Sequence, residues 1–206
     1  MELLSDFKPL SKVIPENIEQ VHQISDELMA AVRYLHSEGV CHRDLHPGNV
    51  LINTAALSTP PENREPGQIL VKLIDFNVAT KFEKSDCDQV RGGTGYKHWS
   101  APETRTSLCY SSKCDSYSCG LLIAHMLESA LLLRQTTAST SEREEVDFEE
   151  VGPDLNNLKN FFVSNQAVSG NHWSRLLDGL LQMEPSERWS PEQAAEYLNS
   201  RGSALI

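Results

Sequence analysis

The stretch that constrains this chain most runs from His42 to Ile52 and reads HRDLHPGNVLI. It carries the carboxylate of Asp44 and the carboxamide of Asn49, with a bend at Pro47 and Gly48 between them. A carboxylate can accept the proton of an attacking hydroxyl group, and a carboxamide can help to hold a metal ion against phosphate oxygens. The pair therefore predicts a loop that serves phosphoryl transfer.

A second acid follows an apolar run further along the chain. Residues Ile69 to Ile74 are mostly apolar and lead directly to Asp75, the pattern of a short strand that ends in an acid. Carboxylate and amide oxygens are ligands that suit Mg²⁺. Asn49 and Asp75 are therefore predicted to bind Mg²⁺ beside Asp44, and the three side chains together predict a magnesium–nucleotide site.

Five short elements, in this order, resemble the signature of the eukaryotic protein kinase family of the serine/threonine type. They are HRDLHPGN at 42–49, DFN at 75–77, APE at 101–103, DSYSCG at 115–120 and Arg188. The family patterns are H-R-D-L-x-x-x-N, D-F-G and A-P-E. The family then has the start of a buried central helix and an arginine that pairs with the A-P-E glutamate. The chain departs from the pattern at Asn77, where the family has glycine.

The resemblance implies an α+β fold that is predominantly α-helical. It would be similar to the C-terminal lobe of a protein kinase, with a small β-hairpin region by the catalytic loop. Residues 1–206 would form one partial kinase domain that starts near the hinge, because Met1 to Asp6 resembles the segment whose main chain binds adenine. The family's glycine-rich loop and strand lysine come before that point. We therefore expect the N-terminal lobe to be absent and this chain to be a fragment or weakly active.

The same resemblance implies a role for each site residue, with ATP and Mg²⁺ as cofactors. The implied catalytic residues are Asp44, His46, Asn49 and Thr94. The implied nucleotide-binding residues are Glu2, Leu4, Asn49, Leu51 and Asp75, of which Asn49 and Asp75 also bind the metal. The implied structural and regulatory residues are His42, Arg43, Phe76, Glu103, Asp115 and Arg188.

Two of these residues carry specific expectations. Arg43 would pair with a phosphorylated residue of the activation segment, Val78 to Ser100, because a planar guanidinium binds phosphate with two N–H groups. His46 stands where most serine/threonine kinases have lysine, and histidine is fully charged only when protonated. We therefore expect weaker phosphate stabilisation near pH 7.

Apolar periodicity predicts the main helices. Between Pro15 and His36 apolar residues recur every three or four positions, which indicates one helix that has Pro15 in its first turn and Gly39 at its exit. Residues 115–134 are apolar nearly all round, as in a helix buried on every side.

The last third of the chain contains two further predicted helices. Two polar segments lie earlier in the chain. A helix is predicted from Trp173 to Met183, and Ser190 to Gln193 has the pattern of a capping box that opens another. Residues 54–68 and 136–150 are polar, and they are predicted to be surface loops.

The composition of the chain limits which classes of partner and which cellular compartment are expected. The formal net charge of −11 argues against nucleic acid and against an anionic membrane as the main partner. The five cysteines form no C-x-x-C pair, which is typical of free thiols in a reducing compartment, and the spacing of Cys109, Cys114 and Cys119 does not predict a zinc site. We expect a soluble cytoplasmic protein that acts on a protein substrate, and that needs an N-terminal lobe or a regulatory partner.

Two other classes of function stay open. A non-catalytic pseudokinase or scaffold is indicated by His46 in place of lysine, by Asn77 in place of glycine and by the missing phosphate-covering loop. A small-molecule phosphotransferase, similar to aminoglycoside or choline kinases, shares a loop like the one at 44–49 but has no A-P-E element with an arginine partner. Glu103 and Arg188 therefore favour a protein kinase.

Overall fold

A computed structural model of the chain describes residues 6–82, 89–91, 98–106, 109–136 and 172–202. Its helices are α1 (Ile18–Ser37), α2 (Thr54–Leu57), α3 (Glu103–Thr106), α4 (Cys114–Thr136), α5 (His172–Leu180) and α6 (Pro191–Gly202), with 3₁₀ turns at Leu10–Lys12 and Pro61–Asn63. Its strands are β1 (Phe7–Pro9), β2 (Val40–Cys41), β3 (Val50–Asn53), β4 (Val71–Leu73), β5 (Thr80–Lys81), β6 (Gln89–Arg91) and β7 (Cys109–Ser111).

The strands form three small antiparallel sheets. The largest has the order β1-β3-β4, and in it Val50 lies opposite Leu73 and Ile52 lies opposite Val71. The other two are pairs, β2 with β5 and β6 with β7. The sequence-predicted hairpin region corresponds to β3 and β4, which follow the catalytic loop directly. Because the pairing is antiparallel, the start of β3 and the end of β4 lie at the same edge.

The core forms around α4. Every residue from Cys114 to Ala124 is buried, in agreement with the prediction of a helix that is apolar on all sides. Helix α1 packs against α4 and α6, and α5 packs against α4. A Cβ atom at Gly120 would lie 2.9 Å from Cβ of Leu180, so glycine allows the close approach of α4 to the end of α5. Among the helices that the structure describes, none combines the length and the apolar character needed to cross a membrane.

The helix ends differ in part from the prediction. The N-cap of α1 is Asn17, whose side chain accepts a hydrogen bond from the N–H of Gln20 at 2.9 Å. Pro15 therefore lies before the helix and not in its first turn, because the asparagine is the better cap. Gly39 follows the helix with a φ of 69°, as predicted. Helix α6 does open on the predicted capping box between Ser190 and Gln193.

Residues 54–68 are not the plain surface loop that the sequence predicts. They contain α2 and a 3₁₀ turn, and the Arg64 guanidinium donates to the carbonyl of Thr59 at 3.2 Å and to Glu27 on α1 at 3.3 Å. Glu27 also accepts from the N–H of Leu70 at 2.9 Å. This segment is therefore fastened to α1. The other predicted loop, 136–150, lies outside the described residues except for Thr136. The helix that the sequence predicts to end at Met183 is α5, and it ends at Leu180.

A half-buried histidine beside the core makes stability depend on pH. The ring of His125 in α4 packs edge-on against Trp99 with ring centroids 5.8 Å apart, and burial lowers the pKa of His125 to about 4. An unfolded histidine has a pKa of about 6.5, so between pH 7 and pH 4 the unfolded chain takes up a proton that the folded chain does not bind. We expect the free energy of unfolding to fall by up to about 3 kcal/mol over this range through this group.

Urea denaturation of wild type and of the His125→Asn variant at several pH values between 7 and 4 measures this effect. Acidic groups titrate in both proteins, so the quantity to compare is the difference between the two curves. The variant should lose less stability than wild type as the pH falls. Parallel curves would contradict the prediction.

Candidate active site

The carboxylate of Asp115 holds the start of the catalytic loop. It lies in the first turn of α4, is 1% exposed, and accepts hydrogen bonds from the backbone N–H groups of His42 and Arg43, both at 2.8 Å. His36 Nε2 lies 2.9 Å from the same carboxylate. Burial alone would raise the pKa of Asp115, but the hydrogen bond and charge of His36 and the two backbone N–H groups together hold it below its usual value. Asp115 therefore fixes the backbone of the loop at His42 and Arg43.

Arg43 has a strained backbone that this contact supports. Its φ is 69°, in the left-handed region that residues other than glycine rarely adopt. Its Nε donates to the carbonyl oxygen of Val78 at 2.5 Å, at the start of the implied activation segment. Residues 83–88 and 92–97 of that segment lie outside the described residues, so the pairing of Arg43 with a phosphorylated residue stays a prediction.

His42 is the first residue of the loop, and its ring is fully buried. Its Nε2 lies 3.0 Å from the carbonyl oxygen of Ile74, and its Nδ1 accepts from the N–H of Asp44 at 3.4 Å. Since the carbonyl oxygen can only accept, Nε2 is the donor in this contact. The ring of Phe76 packs against it with centroids 4.8 Å apart. His42 therefore ties the loop to the end of β4, consistent with the role of a packed core histidine.

Asn49 and Asp44 are in direct contact. Asn49 Nδ2 donates to the main-chain oxygen of Asp44 at 2.9 Å and lies 3.4 Å from its carboxylate oxygen Oδ2. Because the amide nitrogen is used in this way, the amide oxygen is the atom that Asn49 offers to a cation. The main-chain oxygen of Asn49 accepts from the N–H of Ile74 at 3.0 Å, which continues the β3–β4 pairing by one step.

Asp75 follows Ile74 and lies at the same edge of the hairpin. Its side chain is exposed, and Oδ1 accepts from the N–H of Asn77 at 3.3 Å. The hairpin register therefore places Asn49 and Asp75 at one end of β3 and β4, and the contact with Asn49 holds Asp44 there. Their carboxylate and amide oxygens are the donor set that Mg²⁺ prefers, so the residues present fit the cation that was predicted here.

The departure from D-F-G at Asn77 causes no backbone strain. In the described part of the chain, Arg43 and Asp75 are the residues other than glycine with positive φ, and the φ of Asp75 is 61°. Asn77 is not among them.

His46 lies beside Asp44. Its Nδ1 accepts from the N–H of Gly48 at 3.2 Å, and its Nε2 lies 3.9 Å from Asp44 Oδ2. The ring thus presents its Nε2 side to the predicted base. Leu51 is 7% exposed in β3, between β1 and β4. The remaining predicted site residues lie outside the described residues; these are Glu2, Leu4 and Thr94.

Glu103 and Arg188 form a buried ion pair, as the resemblance implies. The guanidinium of Arg188 is 1% exposed and donates to both carboxylate oxygens of Glu103, at 2.5 and 3.0 Å. It also donates to the carbonyl oxygens of Lys113 at 3.2 Å and Gln182 at 2.9 Å, and it stacks over the ring of Tyr117 at 4.9 Å. One side chain therefore joins the A-P-E element, the start of α4 and the segment after α5.

Two positioning contacts were missed from the sequence. His36 sits at the end of an amphipathic helix, where a histidine is ordinarily a surface residue, and only the fold brings it to Asp115. Ser118 in α4 donates to the carbonyl oxygen of Trp99 at 2.7 Å, which fixes the approach to the A-P-E element. The sequence signal for Ser118 was its place in DSYSCG, which we assigned only to the start of a helix.

A sequence model described as the protein kinase domain matches residues 2–198. The chain belongs to the protein kinase family. The family membership predicted from the sequence is thereby confirmed, together with a kinase-like fold of mixed helices and small sheets. A protein kinase domain in general uses ATP and a divalent metal ion and acts on protein substrates.

Curated relatives of this kinase chain cover different parts of it. Calcium-dependent protein kinase 4 of Plasmodium falciparum is 33% identical over 105 residues, which are 51% of this chain and 18% of the relative. The eIF-2-alpha kinase GCN2 of Schizosaccharomyces pombe is 26% identical over 194 residues, 87% of this chain and 11% of the relative. Serine/threonine/tyrosine-protein kinase HT1 of Arabidopsis thaliana is 33% identical over 116 residues, 56% of this chain and 26% of the relative. The chain thus corresponds to a minor part of each of these proteins.

Proposed function

We propose that this chain is the catalytic lobe of a protein serine/threonine kinase, which transfers the γ-phosphoryl group of ATP to hydroxyl groups of proteins. The observation that carries the proposal is the contact between Asn49 and Asp44, 2.9 Å to the main chain and 3.4 Å to the carboxylate. It supports a proton acceptor and a metal ligand held side by side, at the edge of the hairpin that also presents Asp75.

Each residue has a defined task in this reaction. Asp44 accepts the proton of the attacking hydroxyl group, and Asn49 and Asp75 hold the cation with their side-chain oxygens. ATP supplies the phosphoryl group and Mg²⁺ neutralises its charge when they are bound. His46 Nε2, on the Asp44 side of its ring, is a hydrogen-bond donor for a phosphate oxygen. Catalysis of this kind depends on positioning and charge neutralisation more than on covalent chemistry.

Preference for serine and threonine over tyrosine rests on His46-Pro47-Gly48, which lacks the small residue and arginine found in the tyrosine kinase loop. Peptides that differ only in a serine, threonine or tyrosine acceptor test this part of the proposal.

We also propose a cytoplasmic location, supported by the free thiols of Cys41, Cys114 and Cys119. An N-terminal lobe or a regulatory partner completes the nucleotide site.

Replacing Asp75 with asparagine should weaken the binding of Mg–ATP at least tenfold, because the variant loses the negative charge that holds the cation. The measurement is the shift in melting temperature with increasing ATP, with and without Mg²⁺. A ligand at a hundred times its Kd stabilises the folded chain by about 2.7 kcal/mol. Wild type should show a shift that depends on Mg²⁺, and the variant should need at least tenfold more ATP for the same shift.

Asp178→Asn is the matched control. Asp178 is exposed on α5 and loses the same charge in the same substitution, so it should leave the shift unchanged. A shift in Asp75→Asn equal to that of wild type would contradict the assignment of Asp75 to the metal. No shift in wild type, either alone or with an added N-terminal lobe, would favour the second candidate, a pseudokinase or scaffold, for which His46 and Asn77 are the supporting departures from the family pattern.

A further inference from the structure

Three side chains of metal-ligand type meet behind the catalytic loop, away from the hairpin edge that presents Asp75. They are His36 at the end of α1, Cys41 in β2 and Asp115 in the first turn of α4, and their ligand atoms all lie within 4.8 Å of one another. His36 Nε2 is 2.9 Å from Asp115 Oδ2, and Cys41 Sγ is 3.3 Å from the same oxygen. The reaction proposed above uses neither His36 nor Cys41.

A fourth ligand atom lies next to this group. Cys114 precedes Asp115 in α4, and its Sγ is 3.6 Å from Cys41 Sγ and 4.0 Å from Asp115 Oδ1. Both cysteines are free and buried. The set therefore contains one imidazole, two thiols and one carboxylate, which are the ligand types of Zn²⁺ sites in proteins.

Three of the separations are close to those that a tetrahedral zinc ion imposes, while Cys114 Sγ lies farther from the carboxylate, 4.0 Å from Asp115 Oδ1. Zinc binds sulfur at about 2.3 Å and nitrogen or oxygen at about 2.0–2.2 Å, so two ligand atoms on one ion lie about 3.3–3.8 Å apart. The His36–Asp115, Cys41–Asp115 and Cys41–Cys114 separations of 2.9, 3.3 and 3.6 Å lie within about half an ångström of that range. Small side-chain movements would admit the ion.

We propose that His36, Cys41 and Asp115, completed by Cys114, form a binding site for Zn²⁺. Each thiol that binds the ion does so as a thiolate and releases one proton to solvent. The Nε2 atom of His36 becomes a ligand, and its ring proton moves to Nδ1. Asp115 Oδ1 can keep its hydrogen bond from the N–H of Arg43, and Oδ2, which accepts from the N–H of His42, has a second lone pair with which to bind the ion.

The group has a route to solvent. His36 lines a cavity of about 340 Å³, together with Phe82, Ser112 and Lys113. Arg33 and Glu192 lie on its walls as well, so together with Lys113 the lining carries two positive groups and one negative group. The open cavity gives a cation access to the imidazole side of the site, and Glu192 is the wall residue that attracts it. The spacing of the cysteines along the chain gave no sign of such a site, because the ligands come from α1, β2 and α4.

Titration of the purified chain with Co²⁺ tests the proposal, since cobalt reports its own ligands by absorption. Cysteines 87 and 109 are first replaced by serine, so that the remaining thiols are Cys41, Cys114 and Cys119. We expect one equivalent of Co²⁺ to bind, with a thiolate-to-cobalt charge-transfer band and the strong visible bands of a tetrahedral ion. Zn²⁺ should displace it with loss of both.

Variants locate the ion. Cys41→Ser should weaken Co²⁺ binding at least tenfold and remove most of the charge-transfer band, and His36→Gln should weaken binding to a similar extent. Cys119→Ser is the matched control, because Cys119 is a buried free cysteine on α4, the helix that carries Cys114. This variant should keep the charge-transfer band. Circular dichroism of the metal-free variants shows whether each is folded.

Three outcomes would overturn the proposal. The first is a folded wild-type chain that binds no Co²⁺. The second is a band that survives in Cys41→Ser or disappears in Cys119→Ser. The third is a mass spectrum in which Cys41 and Cys114 have lost two hydrogens and are joined by a disulfide in the purified chain, because the pair is then a redox partner and not a metal ligand set. The first outcome can be measured on the wild-type chain, so it does not depend on whether any variant folds.

Discussion

Transfer of radiolabelled phosphate to a basic protein mixture should fall by about 10²–10⁴-fold when Asp44 is replaced by asparagine. The substitution keeps the shape of the side chain and removes the proton acceptor. The contact from Asn49 Nδ2 to the main-chain oxygen of residue 44, at 2.9 Å, does not depend on the carboxylate, so the loop should keep its conformation. Binding of Mg–ATP, measured by the melting-temperature shift, should therefore stay within about threefold of wild type.

The combination of the two measurements separates the functional hypotheses. A variant that binds Mg–ATP and transfers phosphate at more than a tenth of the wild-type rate would show that Asp44 is not the base. A wild-type chain that binds Mg–ATP and still transfers nothing when an N-terminal lobe is supplied would support a pseudokinase or scaffold. Aminoglycosides and choline tested as acceptors beside the protein mixture address the third class, and Asp178→Asn again serves as the control for loss of charge.

The parts of the site that could be predicted from the sequence are those fixed by local chain geometry. Asp44 and Asn49 lie in one loop, and the antiparallel register of β3 and β4 then carries Asp75 to the same edge. An apolar run that ends in an acid is visible in the sequence, so a common location for these three residues could be predicted before the fold was known. The pairing of Glu103 with Arg188 joins distant positions, and only the family resemblance suggested it.

The rest depends on contacts that sequence patterns do not encode. Arg64 meets Glu27 from 37 positions away, and this pair turns a polar segment that reads as a loop into a fastened element. His36 meets Asp115 from 79 positions away. The start of α1 was misplaced for a different reason. Proline and asparagine are both common at helix starts, and the hydrogen bond that decides between them forms only in the folded chain.

Replacing Arg188 with alanine should lower the free energy of unfolding by about 3–5 kcal/mol, which is the usual cost of removing one partner of a buried ion pair. The carboxylate of Glu103 would lose both of its hydrogen bonds from the guanidinium, and the carbonyl oxygens of Lys113 and Gln182 would each lose a donor. Arg188→Lys should recover only part of the loss, because an ammonium group cannot donate to both carboxylate oxygens in the planar geometry of arginine. Urea denaturation followed by circular dichroism measures each value.

A double-mutant cycle with Glu103→Gln shows how much of this cost belongs to the pair. In the Glu103→Gln background, Arg188→Ala should lower the free energy of unfolding by about 1 kcal/mol less than it does in wild type, or by a still smaller amount. The reason is that no carboxylate is then left buried without a partner. Arg175→Ala is the matched control: Arg175 is exposed on α5 beside Tyr197, at 5.7 Å from its ring, and should cost less than about 1 kcal/mol. Equal costs for Arg188→Ala and Arg175→Ala would mean that the A-P-E element is not held by this ion pair. Additive costs in the cycle would mean that Arg188 stabilises the chain through the carbonyl oxygens around it and not through Glu103.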